Sequence, residues 1–580
     1  MSTHTTISDL DNEQLHRQIS ENTAEVPPRF SKAGRSYRRW LRAHNRAARA
    51  IELAQAKADG RQPVGFDNAY RTAGANGFAG RGGGRAEVVS GPQEWQTTTN
   101  LGGGFTPNVV GAAAPVIGTP LGRHIMTQEE VACDAMAWFR EGIIANPSAF
   151  VLSLPGLGKS TLIRKMLMGH SFQGQVPIIA GDIKGEYVGF VRQVGGQVIT
   201  VGHGRGRINP LDVGALGRIV PRLRAARRDA AAAGESTDLL DELIDQTLEE
   251  VHGRQVSMVG TLVGLGRGRP MADWESMLVS IALREIYDSE HIDWDNPPIL
   301  ADLIEQLEAG SPQLRAKGRA RDSAAWDARV DDLILSLNAL LDGATGKIFA
   351  GQTTDPIDVD SAAVCIDVSA INRGDARMKA AVMMACWSNA FGAIEAAHTL
   401  HDAGLEKQRY FVTTLDELWQ VLAAAPGMVG QVDALTRLNR TDGTALYMIT
   451  HTFKDLMALP EEEDRQTAMG FIERAGMVIC GGLPTSELGI LSNQLEFSPA
   501  EAAQITSWSK GAELKRTRTR GHRPPPPGRG YFMIKASKDG SPGIPVRTVL
   551  LPTEVRYRLH DTNQVFDQFF NDFQEEADDE

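Results

Sequence analysis

The 580-residue chain is poor in cysteine: it has only Cys133, Cys365, Cys386 and Cys480, with no C-x-x-C pair and no histidine spaced to join one. That scarcity excludes a disulfide framework and a cysteine-based zinc site, and it predicts buried thiols in a reducing cytoplasm. No run of about eighteen uninterrupted apolar residues occurs, so no transmembrane helix is expected. The first residues lack the apolar core of a secretory signal. Positive charge is not in excess either: 60 basic residues face 72 acidic ones, for a net charge of -12. This excludes avid nucleic-acid binding by the chain as a whole and confines any DNA contact to a local patch. Aromatic residues make up 6%, charged residues 23% and hydrophobic residues 42%, the balance of an ordinary protein with a core. The length exceeds one compact core and suggests about three to four units.

Residues 1–105 show brief apolar periodicity and glycine clusters at Gly82–Gly84 and Gly102–Gly104, so a largely disordered N-terminal extension is expected. Within it, Lys32, Arg35, Arg39, Arg42, Arg46 and Arg49 recur at spacings of three and four and share one helical face. Tyr37, Trp40, Leu41, Ala48 and Ile51 fall elsewhere. Two readings stand: contact with an anionic membrane surface, nucleic acid or acidic partner, or a solvated charged face. From about residue 106 short apolar runs alternate with amphipathic stretches, which predicts an α/β fold with a mostly parallel central sheet. Strands are expected at 149–152, 176–180, 197–201, 363–368, 410–415, 445–450, 477–480, 531–535 and 546–551. Between 215 and 342 helical patterns take over, at 238–251, 273–287, 299–308 and 326–341. The expected division is therefore 106–214 and 343–560 as two parts of one α/β domain, 215–342 as an all-α insertion, and 561–580 as a tail. That tail carries Phe566, Phe569, Phe570 and Phe573 on one helical face before an acidic end, with the phenylalanines expected to dock on the protein's own core.

The most informative stretch runs Ser153 to Thr161, S-L-P-G-L-G-K-S-T, directly after the apolar run Ala149–Leu152. A buried strand, a glycine-bearing turn and a helix start together present backbone N–H groups and a positive helix end to a polyphosphate. Pro155, Gly156, Leu157, Gly158, Lys159, Ser160 and Thr161 are the expected nucleotide contacts. Lys159 is suited to the terminal phosphates, and the Ser160 hydroxyl to Mg²⁺. Ser153 stands where the pattern wants glycine, so the turn must tolerate a Cβ. A second apolar run, Tyr410 to Leu415, ends in Asp416 and Glu417. These suit divided work, Asp416 at the metal and Glu417 polarising the attacking water, although a helix N-cap pair would look the same. Asp182 and Glu186, in D-I-K-G-E-Y at the end of the strand 176–180, would orient the terminal phosphate or the water, or cap the next helix. His451 closes the strand 445–450, as a phosphate sensor or a satisfied hydrogen-bonding residue. Arg437 and Arg440 would reach a neighbouring subunit's phosphate or join surface ion pairs.

The ordered set of phosphate loop, D-I-K-G-E-Y, G-G-Q-V-I-T-V-G, I-N-P-L-D, helical insertion, G-K-I-F-A-G, L-D-E-L-W, R-L-N-R and I-T-H resembles the HerA/FtsK superfamily of ring ATPases. More narrowly it is similar to the VirB-type traffic ATPases of type IV secretion and conjugation, including the TraC and TraE conjugal proteins. The similarity spans residues 106–560. It implies a RecA-like P-loop NTPase fold with ATP and Mg²⁺ as ligands. It also implies hexamers or dimers at the cytoplasmic side of a membrane secretion or conjugation channel, so that the chain would lie at the inner face of the cell membrane. Lys159 and Ser160 match the phosphate and metal positions, Asp416 and Glu417 the acidic pair, and Arg440 the arginine before the next strand. Three features depart from the family: Ser153 for the first glycine, His451 where glutamine is usual, and the absence of the large N-terminal domain, for which the basic helix is the expected substitute. The resemblance makes an ATP-hydrolysing motor the leading expectation. A double-stranded DNA translocase is the alternative, with Arg518, Arg520 and Arg523 ahead of Pro524–Pro527 in a pore loop or a flexible linker. A nucleotide-binding scaffold with little turnover is the third.

Overall fold

The computed structural model describes residues 7–20, 27–28, 31–58, 114–202, 204–288, 292–342, 346–371, 375–424, 428–436, 443–459, 461–492, 494–510, 526–536 and 540–560. Two compact units divide the chain, Met1–Phe105 and Thr106–Glu580. The larger is built on one sheet of eleven strands: β1 (Pro120–His124), β2 (Glu130–Ala132), β3 (Ser148–Leu152), β4 (Val176–Asp182), β5 (Gln197–Thr200), β6 (Val364–Asp367), β7 (Phe411–Leu415), β8 (Thr444–Thr450), β9 (Met477–Cys480), β10 (Tyr531–Lys535) and β11 (Ile544–Thr548). Their spatial order is β2-β1-β11-β10-β9-β3-β8-β7-β4-β6-β5. From β9 to β5 all neighbours are parallel, and from β9 to β2 all are antiparallel. The mostly parallel α/β sheet expected from the apolar runs is present.

Strands β3, β4, β7, β8 and β9 are buried along their whole length. Continuous apolar runs permit this because alternate residues feed cores on opposite faces. Phe150, Leu152, Ile178, Met448 and Val478 pack into one core, whereas Ala149, Val151, Ile179, Tyr447, Ile449 and Ile479 pack into the other. The last strand sits earlier than the run 546–551 suggests. It ends at Thr548 because Leu551 already caps the helix Pro552–Arg556, whose first-turn proline cannot extend a ladder.

The segment between β5 and β6 is helical, and the pattern read at 238–251 belongs to a longer helix, Asp238–Arg267. Gly253, Gly260 and Gly264 obscure its second half in the sequence. Burial of Met258, Val259, Leu262 and Val263 outweighs about 1 kcal/mol of lost propensity per glycine. The helix Ala376–Asp402 was not anticipated: it is apolar on most sides and so lacks the polar stripe by which a surface helix is recognised. It packs on β4 and on the helices Gly214–Arg218 and Asp238–Arg267, joining the inserted helices to the sheet.

Among the described residues the N-terminal unit has two helices, Ile7–Ser20 and Lys32–Ala58, the second carrying the basic stripe read from the sequence. Tyr37 is buried and meets His16 Nδ1 through its hydroxyl at 2.8 Å, and Trp40 stacks on His44. Lys32, Arg35, Arg39 and Arg42 are exposed. The side chains of Arg46 and Arg49, the glycine clusters and the phenylalanine tail lie outside the described residues. All four cysteines are buried free thiols. Among the described residues no helix is long and apolar enough to cross a membrane.

Candidate nucleotide-binding site

β3 lies between β8 and β9, so the turn after Leu152 opens at the carboxyl edge of the parallel strands, where ligand sites of such sheets gather. The turn leads into the helix Lys159–Phe172, whose N-cap Gly158 has φ 98° and no side-chain cap. Gly156 also has a positive φ, 79°. The first N–H groups of this helix therefore meet no capping side chain, and the positive end of its dipole faces the loop. Pro155 and Gly156 are exposed, Leu157 is buried, and Ser160 and Thr161 are half-buried. Ser153 is fully buried without a positive φ. Its side chain fits because position 481 is glycine: a Cβ there would lie 2.3 Å from Ser153 Oγ. The departure from the loop pattern is thus matched by a residue at the end of β9.

Lys159 is buried, with Nζ 3.1 Å from the Thr450 carbonyl oxygen and 3.0 Å from His451 Nδ1. Burial pulls its pKa down, against the charges of Asp416 and Glu417. His451 Nε2 lies 3.0 Å from Glu417 Oε1. The Lys184 ammonium pairs with the same oxygen. Trp419 Nε1 donates to Glu417 Oε2 at 2.8 Å and Gln420 Nε2 at 3.4 Å. Burial pushes the Glu417 pKa up, but His451 and Lys184 outweigh it and hold the carboxyl below the usual range. Asp416, at the end of β7, accepts from the Tyr187 hydroxyl at 3.0 Å and from the Glu417 N–H at 2.8 Å. Burial raises its pKa, and Lys159 opposes that. Lys159, His451, Glu417 and Lys184 thus form one unbroken polar chain above Asp416.

Glu417 occupies the left-handed region, φ 53° and ψ 35°, which for a residue with a Cβ costs of order 1–3 kcal/mol. It stands at the N-cap of the helix Leu418–Leu422, yet its side chain makes no capping bond. The carboxylate is committed to the cations instead, which removes the capping alternative for this residue.

Of the two readings of Asp182, the turn and capping one matches its hydrogen bonds. Its carboxylate accepts from the N–H groups of Lys184, Glu186 and Tyr187 at 3.2, 3.0 and 2.7 Å, and Cys365 Sγ lies 3.9 Å away. These four donors match the four lone-pair sites of a carboxylate, so Asp182 fastens the turn and has no lone pair left for a nucleotide. Burial pushes its pKa up to about 6 against the N–H groups of Tyr187 and Glu186. Glu186 gives its carbonyl oxygen to Arg164 at 2.6 Å, and its Oε2 is buried without a partner. Arg437 and Arg440 lie outside the described residues. Sequence reasoning passed over Lys184 and Tyr187, although both sit in the quoted D-I-K-G-E-Y turn, and Trp419, two residues after Glu417.

Among the described residues no cluster of three or more acidic, histidine or cysteine side chains is built to hold a metal. The Ser160 hydroxyl at the start of the helix and the Asp416 carboxylate at the end of β7 are both hard oxygen donors. That sparse, hard set fits Mg²⁺, which keeps waters and takes phosphate oxygens for the rest of its shell.

The chain shares its fold with VirB4 of Thermoanaerobacter pseudethanolicus, at TM-score 0.53 and 19% identity over 77% of this chain and 99% of the other. It also matches the plasmid coupling protein TrwB in complex with ADP and Mg²⁺, at TM-score 0.43 and 14% identity over 76% and 96% of the two chains. The bacterial conjugative coupling protein TrwBdeltaN70 with sulphate matches at TM-score 0.43 and 12% identity over the same shares. No protein-family model and no curated protein matches. The likeness to VirB4 identifies the α/β core as a RecA-like P-loop fold.

Proposed function

We propose that the chain is an ATP-hydrolysing motor of a type IV secretion or conjugative DNA-transfer machine. The observation that carries this reading is the meeting of Lys159, at the start of an uncapped helix, with Glu417 through His451, directly beside buried Asp416. The shared fold with VirB4 supports the choice of machine.

In this mechanism the N–H groups of residues 156–161 and the Lys159 ammonium hold the β- and γ-phosphates. Ser160 and Asp416 are the residues that would hold Mg²⁺, whose chemistry is to neutralise charge on the phosphate oxygens. Glu417 orients a water for in-line attack on the γ-phosphorus. One proton of the water passes to Glu417 and on to bulk solvent, the bond from the γ-phosphorus to the β-phosphate oxygen breaks, and ADP leaves beside an inorganic phosphate that keeps the water's oxygen and its other proton. His451 joins Glu417 to Lys159, so water and phosphate are placed by one polar chain. Arg440 reaches the phosphate of a neighbouring copy, which makes a hexamer or dimer the working form. The exposed basic face from Lys32 to Arg42 holds the motor peripherally on the cytoplasmic side of the membrane, beside its channel.

Glu417→Gln is the direct test. Hydrolysis of ATP by the purified chain falls about 100-fold or more while nucleotide binding persists. A Glu417→Gln variant that hydrolyses ATP at the wild-type rate would overturn the assignment, and a wild type without turnover leaves the scaffold reading in its place.

A further inference from the structure

The Glu417 carboxylate is fully subscribed. Lys184 and His451 share Oε1, while Trp419 and Gln420 share Oε2. Four donors fill the lone pairs of a carboxylate, so a water can be accepted only if one donor leaves. Trp419 and Gln420 belong to the short helix that follows Glu417 and move with it. His451 is tied to Lys159 on its other nitrogen. Lys184 differs in every respect: its side chain is 45% exposed beside a carboxylate that is 2% exposed, and it comes from the turn after β4. That turn is a firm pivot, because Asp182 pins the backbone N–H of Lys184. The side chain beyond it is a flexible four-carbon stem carrying three rotatable donors. Lys184 and Lys159 also repel one another across the site, so a negative group arriving between them relieves both.

Resting on the nucleotide reading above, we propose that Lys184 recognises the terminal phosphate of a nucleoside triphosphate: its ammonium moves from Glu417 Oε1 to the γ-phosphate and frees that oxygen for the attacking water. Lys159 is the fixed, buried cation of the site, and Lys184 is the movable one. A diphosphate offers no group at that position, so Lys184 adds nothing to its binding. Readiness for hydrolysis is thereby coupled to the presence of a third phosphate.

The test is calorimetric titration of the full chain with Mg²⁺ and either ADP or the non-hydrolysable analogue AMPPNP. Lys184→Gln, close in size to the native side chain, weakens AMPPNP binding about tenfold and leaves ADP binding unchanged. Lys184→Arg restores the preference for the triphosphate. Equal weakening of both nucleotides, or of neither, overturns the proposal and leaves Lys184 as a structural partner of Glu417. Lys159→Ala, run alongside, loses both nucleotides if the site is the phosphate loop. If Lys159→Ala binds as the wild type does, or the wild type binds neither nucleotide, the nucleotide reading falls and this proposal with it.

Discussion

Ser153 and Gly481 show how one residue's fit is decided by another far along the chain. A Cβ at 481 would lie 2.3 Å from Ser153 Oγ and 2.7 Å from Ser153 Cβ. Gly481→Ala should therefore cost about 1–3 kcal/mol by overpacking, read from urea unfolding. Adding Ser153→Gly should recover most of that loss; no recovery would place the conflict at Phe532 instead. A second residue-scale effect concerns His170, buried with Nε2 2.8 Å from the Tyr447 hydroxyl, Nδ1 against Gln175 and the Asp134 carboxylate 4.0 Å away. Burial lowers its pKa from 6.5, against Asp134 and Gln175. The unfolded chain then binds the extra proton first as pH falls. The stability held by neutral His170 is complete above 6.5 and is lost as pH drops through the lower folded value, by at most about 1.4 kcal/mol per pH unit. Asp182, raised to about 6, acts with the opposite sign between its ordinary value and about 6. The comparison that isolates His170 is wild type against His170→Gln: the variant should show a flatter loss of stability below pH 6.5. Parallel curves would dismiss His170 as the source.

At the scale of elements, the phosphate-loop helix is fastened to the helix Pro552–Arg556 by Lys165 Nζ and Glu554 Oε1, 2.9 Å apart and both buried. Removing one partner strands a charge, so Lys165→Met alone should destabilise by about 3–5 kcal/mol. Lys165→Met with Glu554→Leu should cost much less than the two changes summed, and strict additivity in a double-mutant cycle would refute the coupling. The strands were legible in the sequence because an apolar, β-branched run is a local signal; β9 and β10 sit where they were read. The second half of the helix Asp238–Arg267 and all of Ala376–Asp402 were not legible. Glycines interrupt the first pattern and the second is apolar nearly all round, so only the surfaces that bury them reveal them.

For the molecule as a whole, the earliest strand of the sheet among the described residues is Pro120–His124, with Val116 the earliest bridged residue. A chain beginning at residue 106 should keep the wild-type melting temperature and nucleotide affinity while losing sedimentation with anionic lipid vesicles. Undiminished sedimentation would remove the basic helix as the membrane contact. Local sequence determined the phosphate loop, the acidic pair after β7 and the parallel character of the core, since each is written in contiguous residues. The strand order was left to tertiary structure. It sets β8 between β3 and β7 and so carries His451 to the midpoint between Lys159 and Glu417. It also decided that Lys184 faces Glu417 and that Gly481 makes room for Ser153. Those pairings join residues tens to hundreds of positions apart. They are selected by which apolar faces bury one another, a free energy that no local periodicity encodes.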